Sequence, residues 1–309
     1  MPTQRDVKNK IASVRNIQKI TRAMEMVAAA RLRRAEQRIE ALRPYAKALR
    51  RMTSQAARAA GAEASRLPLL AAHESERTVA LLLITGDRGL AGGFNSQVIR
   101  AGIRLSGELS EQGVQTSWYA TGRRGVSSLG FRGHELERAY TGFADRPAYA
   151  DARTVAVDLI AAYVQERIDR VELIYNRYVS PLTQTVTRET LLPLSKAIID
   201  SQDGEGEDRG EAEDARGGER GGRPSPVDYE PEPEKILRRL VPDYVEVSIY
   251  RALVESTAGF FGAQMTAMRS ASESAGEIIT EYTLQMNRAR QAEITQEIME
   301  VVAGAEGLA

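Results

Sequence analysis

From Thr3 to Arg58 the chain contains no glycine and a single proline, Pro44. Ala, Arg, Leu, Met, Gln and Glu fill the stretch, and all of them favour helix. Apolar residues recur at spacings of three and four. Val14, Ile17, Thr21, Met24 and Ala28 form one run; Leu32, Ala35, Ile39, Leu42, Ala46 and Leu49 form a second, shifted run. At 1.5 Å per residue a helix of this length extends roughly 80 Å, too long for a globular core. Pro44 is where a kink is expected, if anywhere. The other end repeats the pattern. Glu232–Leu240 reads as a short helix, with Pro242 suited to the first turn of the next. From there Val254, Ala258, Phe261, Met265, Met268, Ser272, Ala275, Ile279, Tyr282, Met286 and Ala289 alternate by three and four, with Ser272 the only polar member. That is a coiled-coil seam. The stripe then drifts to Ile294, Ile298 and Val301. Gly259, Gly262 and Gly276 weaken a helix and are expected where something packs closely. Two long helices can bury their stripes against each other as an antiparallel coiled coil, with both termini near a free tip.

Between them the pattern changes. Residues 78–85 are a continuous apolar run, as in a strand covered on both faces. Gly86, Gly89, Gly92 and Gly93 make a turn, and Asn95–Leu109 suits a helix. Val114–Ala120 reads as a strand, Arg123–Leu129 as a short helix and His134–Tyr140 as a strand. Ala148–Ile168 reads as a helix, and Val171–Val179 with Gln184–Leu191 as an antiparallel strand pair. Alternating strands and helices predict a small Rossmann-like α/β layer. The chain therefore divides into an N-terminal axle helix (1–60), a central α/β domain (75–200), an acidic loop (201–231) and a C-terminal axle helix (232–309). The acidic loop lacks the apolar residues that would offset its ordering entropy and is expected to be disordered.

Composition narrows the chemistry. Lys+Arg and Asp+Glu both total 42, so the net charge is +0, and a global basic excess of the kind that binds nucleic acid is absent. The charge is uneven, however: residues 3–58 carry roughly fifteen basic against about four acidic side chains. There is no cysteine, hence no disulfide and no thiolate chemistry, and the two histidines, His73 and His134, lie far apart in sequence. No apolar run is long enough to span a bilayer, and no signal peptide opens the chain. The segment 85–95, ThrGlyAspArgGlyLeuAlaGlyGlyPheAsn, is the one that looks catalytic, because a Gly-rich turn after a first strand is where dinucleotide enzymes hold pyrophosphate. Its spacing gives neither G-x-G-x-x-G nor a Walker sequence, and no acid closes the second strand. Ser127 or Ser128 with His134 and Asp145 could make a triad, but no nucleophile elbow is present. No catalytic, cofactor-binding or metal residue is assigned.

The residues at both ends carry a resemblance. LysIleAlaSerValArgAsnIleGlnLysIleThrArgAlaMetGluMetValAlaAlaAlaArg (10–31), AspArgGlyLeuAlaGlyGlyPheAsn (87–95) and the stretches 265–277 and 287–305 resemble the gamma-subunit family of rotary F-type ATP synthases. Ala91 stands where many members carry cysteine. The resemblance implies a central-stalk rotor without catalytic residues. Its terminal helices form an axle inside a ring of alpha and beta subunits, above a foot that meets the epsilon subunit and the membrane c-ring. Proton flow turns the axle and drives the beta sites in sequence through binding, making and releasing nucleotide. The place implied is the cytoplasmic face of the cell membrane, peripherally bound, with no nucleic-acid partner. Partner contacts implied are Met24, Arg31, Arg33, Arg34 and Arg88, with Arg290, Gln291 and Thr295 near the tip. Two rivals explain parts of the chain: a nucleotide-binding α/β module with a coiled-coil arm, and a basic coiled-coil scaffold or nucleic-acid clamp.

Overall fold

The computed structural model describes residues 4–194 and 232–306. The predicted acidic loop, 201–231, lies outside the described residues. Two helices dominate. α1 runs Gln4–Ala60 without interruption at Pro44, and a 3-10 turn, Gly61–Arg66, follows. The last helix, Pro233–Glu306, has 74 residues, or roughly 110 Å. Pro242 lies inside it, which corrects the expected short helix ending at Leu240 and a fresh start at Pro242. An interior proline forfeits one backbone hydrogen bond. Here Leu237, Val241 and Val245 are buried on either side of it, and their packing outweighs the loss.

The elements between are β1 (Thr78–Ile84), α2 (Phe94–Glu111), β2 (Gln115–Thr121), α3 (Arg123–Phe131), β3 (Leu136–Tyr140), α4 (Tyr149–Val164), β4 (Arg170–Tyr178) and β5 (Gln184–Leu192). The helix Pro233–Glu306 is α5. Expected elements are all present with shifted ends. α4 stops at Val164 rather than Ile168, because Glu166 takes a left-handed backbone with φ 56°. The strands form one sheet in the order β3-β2-β1-β4-β5. β1 pairs parallel with both β2 and β4, and β5 closes the edge antiparallel to β4. The apolar run of β1 serves two cores. Val79, Leu81 and Leu83 face α2 and α3. Ala80, Leu82 and Ile84 face α4, the first part of α5 and the end of α1 at Ala56 and Ala57.

α1 and α5 pair antiparallel, as expected. Lys10 Nζ sits 5.7 Å from the Tyr282 ring centre, and Arg269 Nε binds Glu25 Oε1 at 2.8 Å. The N-terminal stripe needs two corrections, since Ile17 and Met24 both lie beside the seam and Gln18 and Glu25 hold their places in it. Ile17 is 51% exposed and lies outside the seam. Its place is taken by Gln18, whose Nε2 donates to the Ser272 carbonyl at 3.2 Å. The two shifted runs are thus one seam. It steps by four and three through Val7, Ile11, Val14, Gln18, Thr21, Glu25, Ala28, Leu32 and Ala35, and continues to Leu49. Ile17, Ile20, Met24 and Val27 make a separate outer stripe in which all but the half-buried Met24 are exposed. The three glycines of α5 are close approaches, as predicted. A Cβ on Gly259 would meet Phe94 at 3.1 Å, on Gly262 the Pro181 carbonyl at 3.0 Å, and on Gly276 the Gln18 amide at 3.2 Å.

Candidate functional site

The strand order reverses direction between β1 and β4, and the crevice above their carboxyl ends is where doubly wound sheets bind ligands. In this chain the crevice is already full. Leu253, Ser256, Thr257 and Phe260 of α5 line it together with Ile84, Thr85, Gly86 and Phe94. A Cβ on Gly86 would meet the Phe260 ring at 3.0 Å, so glycine lets the helix seat closely there. Every residue from Ala252 to Gly262 is buried, on all sides of the helix. Asn176 at the end of β4 is fully buried and donates from Nδ2 to the Phe94 carbonyl at 2.9 Å, tying the sheet to the start of α2.

The Gly-rich turn that suggested phosphate binding is closed by its own side chains. Asn95 Oδ1 accepts the Gly86 amide at 2.8 Å, and Asn95 Nδ2 donates to the Arg88 carbonyl at 3.1 Å. Asp87 accepts amides from Arg123 at 3.0 Å, Gly142 at 3.1 Å and Ala144 at 3.1 Å. A carboxylate facing these amides opposes a bound phosphate by charge as well as by occupancy. The imagined triad does not assemble. His134 lies against Trp118 with ring centres 4.8 Å apart, Ser128 contacts Arg132, and Asp145 pairs with two arginines. The histidines are equally separate. His73 stacks on Tyr163 and sits 2.8 Å from Asp169. Among the described residues no cluster of His, Cys, Asp or Glu could hold a metal ion.

The residues expected to meet partners fall into two groups. Arg31 and Arg88 come together on Asp145 Oδ2, at 3.4 and 3.3 Å. Arg31 also lies over the Phe261 ring at 5.6 Å. Arg33 and Arg34 are exposed on α1 next to Arg31, and the half-buried Met24 lies on its outer stripe. Asp145 went unrecognised in the sequence except as a triad member, because nothing local marks a loop acid as the partner of a helix 114 residues away. Glu36, which accepts from Tyr178 Oη, was missed for the same reason. That bond and burial together push the Tyr178 phenol above its ordinary value, burial being the larger cause.

Arg290, Gln291 and Thr295 lie apart from these, near the end of α5. Carrying the antiparallel register down from Lys10 and Tyr282 brings Gln4, the first described residue of α1, level with Arg288. From Arg290 to Met299 every side chain is exposed. The seam, continued by its own steps of four and three, would use Glu293, Gln296 and Glu300, all polar. The apolar residues instead move to another side. At 100° per residue, Arg290, Gln291, Ile294, Thr295, Ile298, Val301 and Val302 share an arc of roughly 140°. The tip is therefore amphipathic in a direction that no helix in the position of α1 would cover.

Known proteins match over the whole chain. A family model described as ATP synthase matches residues 3–308. The ATP synthase gamma chain of Rubrobacter xylanophilus is 42% identical over 310 residues, covering 100% of this chain and 99% of that one. The ATP synthase gamma chain of Moorella thermoacetica is 40% identical over 309 residues, covering 100% of each. A chain in a cryo-EM structure of Euglena gracilis mitochondrial ATP synthase (OSCP, F1 and c-ring) superposes with a TM-score of 0.64 at 14% identity, covering 99% of this chain and 94% of that one. A chain from the central stalk and c-ring of the Tetrahymena thermophila mitochondrial enzyme gives 0.56 at 24% identity, over 82% of this chain and 99% of that one. At these identities the solved structures speak for the fold. With the sequence matched from end to end and the same two helices flanking an α/β body, the chain belongs to the ATP synthase gamma-chain family.

Proposed function

We propose that the chain is the central-stalk rotor of a proton-translocating F-type ATP synthase, coupling ion flow through a membrane c-ring to conformational cycling of catalytic beta subunits. It is not itself catalytic. The observation that carries this is the tip of α5. A helix end that has left its partner, with its apolar side turned away from the seam, is built for a surface that surrounds it. Arg290, Gln291 and Thr295 would meet that surface beside Ile294 and Ile298. The outer stripe at Ile17, Ile20, Met24 and Val27 offers a second apolar contact lower down. Arg33 and Arg34, together with Arg31 and Arg88 whose charge Asp145 only partly balances, place positive charge where the axle meets the α/β body, suited to acidic loops of the surrounding subunits. Attraction of this kind is long-ranged, tolerant of register and weakened by salt, as a sliding contact requires.

Among the described residues no helix is long and apolar enough to cross a membrane. Attachment at the cytoplasmic face, through the c-ring and the epsilon subunit, is the arrangement that suits the rotor. The nucleotide-binding alternative is disfavoured by a crevice filled by Phe260 and a turn closed by Asn95. Copurification decides between them. The tagged chain should bring down alpha and beta subunits in a complex that hydrolyses ATP. A chain that purifies alone, and gives saturable heat with Mg-ATP or NAD that Arg88→Ala abolishes, would sink the rotor assignment.

A further inference from the structure

Four residues, 142–145, of the loop between β3 and α4 touch the Gly-rich turn, α1 and α5 together. The Gly142 and Ala144 amides are held by Asp87 of the Gly-rich turn, at 3.1 Å each. The Ala144 carbonyl accepts from Thr257 Oγ1 of α5 at 2.9 Å, a hydroxyl that also reaches the Leu253 carbonyl at 2.8 Å. Asp145 takes Arg31 of α1 and Arg88 of the turn on the same oxygen. Arg31 and Thr257 stand within one helical turn of each other along the coiled coil, since the Arg31 guanidinium covers Phe261, one turn beyond Thr257. This is also the level at which α5 leaves the sheet: burial on all sides ends at Gly262. The loop thus fastens both helices to the body at their common exit.

The two helices are not gripped equally. α5 is enclosed by the core and needs little help. α1 meets the body at this level through Leu32 and Ala35 against Ala91, through Glu36 with Tyr178, and through Arg31 with Asp145. A pair of helices twisted about its long axis yields first where one helix can slide around the other. We infer that residues 142–145 are a collar that prevents this slip, with Asp145 and Thr257 as positioning residues through which torque passes between the coiled coil and the α/β body. The inference rests on the rotor assignment. A charged carboxylate suits the task, because bonds to two guanidinium groups resist displacement in two directions.

The test uses the whole synthase in inverted membrane vesicles carrying the parent chain, Asp145→Asn, Asp145→Glu or Thr257→Val. ATP hydrolysis and ATP-driven proton pumping are measured on the same preparation. Pumping by the parent tests the rotor assignment; the ratio of pumping to hydrolysis across the variants tests the collar. With Asp145→Asn, hydrolysis should stay within about twofold of the parent while pumping falls about threefold or more. Asp145→Glu should recover most of the ratio, and Thr257→Val should lower it in the same direction. A role in folding alone moves both activities together. An unchanged ratio in Asp145→Asn and Thr257→Val, or a parallel loss of both activities, overturns the collar.

Discussion

Asp169 shows how much one side chain can organise in this fold. Its Oδ1 meets His73 Nδ1 at 2.8 Å, and its Oδ2 accepts the amides of Arg77 at 2.8 Å and Thr78 at 2.9 Å, fixing the start of β1. Burial alone would raise the carboxyl; the His73 contact and the two amides outweigh it and hold the group below its usual range. A depressed carboxyl contributes stability that is complete above its unfolded value, about pH 4, and is lost as pH falls through the lower folded value. Asp169→Asn should therefore lower unfolding stability by about 1–3 kcal/mol at neutral pH. In urea titrations its gap from the parent should close below about pH 4; a gap independent of pH would exclude the carboxylate as the cause. Met24 makes a different case. It lies on the outer stripe one residue from Glu25 of the seam, so Met24→Lys leaves the coiled coil paired and sets a cation on the proposed bearing surface. Hydrolysis in membranes should persist while pumping falls; equal loss of both would mean misfolding. The individual pairings were the least legible part of the chain. Asp145, Glu36 and Glu189, which holds Arg251 at 2.6 Å, find partners across the fold, and a linear pattern carries no sign of that.

At the scale of elements the sequence was most readable where period and composition agreed. β1 announced its two covered faces through an unbroken apolar run, and the α5 seam held from Val254 to Ala289. The α1 seam was obscured because two of its positions, Gln18 and Glu25, are polar. A search for apolar residues slides past them onto Ile17, and one seam then looks like two. The Glu25–Arg269 pair also fixes which heptad faces which, because a register slipped by one heptad would set Glu25 against Gly262 or Gly276. The prolines misled in the opposite direction. Local chemistry ends a helix at Pro242, and the packing of Leu237, Val241 and Val245 carries it through. Two paired substitutions separate seam from tip. Met268 is 6% exposed, so Met268→Asp buries a charge without a partner and should cost about 3–5 kcal/mol, visible as a lower thermal midpoint of the purified chain. Ile298→Asp, on the uncovered tip, should melt with the parent yet impair coupled activity in the complex. A lowered midpoint for Ile298→Asp would show that the tip is packed within the chain itself.

At the scale of the whole molecule the layout followed from proportion: two helices too long for any core, around a middle stretch of the right size for one sheet. What the proportion could not tell was that α5 fills the place where a sheet of this order would hold a ligand. The Gly-rich turn kept the look of a phosphate loop, and only the approach of Phe260 to Gly86 shows that glycine serves a helix there. Phe260→Ala should empty part of that crevice and cost about 3–5 kcal/mol. Calorimetry with Mg-ATP should still give no saturable heat, because Asp87 and Asn95 continue to occupy the turn. The long seam also constrains the order of assembly. Gln18 and Ser272 are hydrogen-bonded across 254 residues of chain. Bringing such distant segments together costs closure entropy that neither helix can offset alone. Once the sheet and α4 have formed, the roots of α1 and α5 lie side by side, and pairing can close like a zipper from the body toward the tip. Amide protection during refolding should accordingly reach Ala56 and Leu49 before Ile11 and Val7. The end of the molecule proposed to meet the surrounding subunits would then be the last to form.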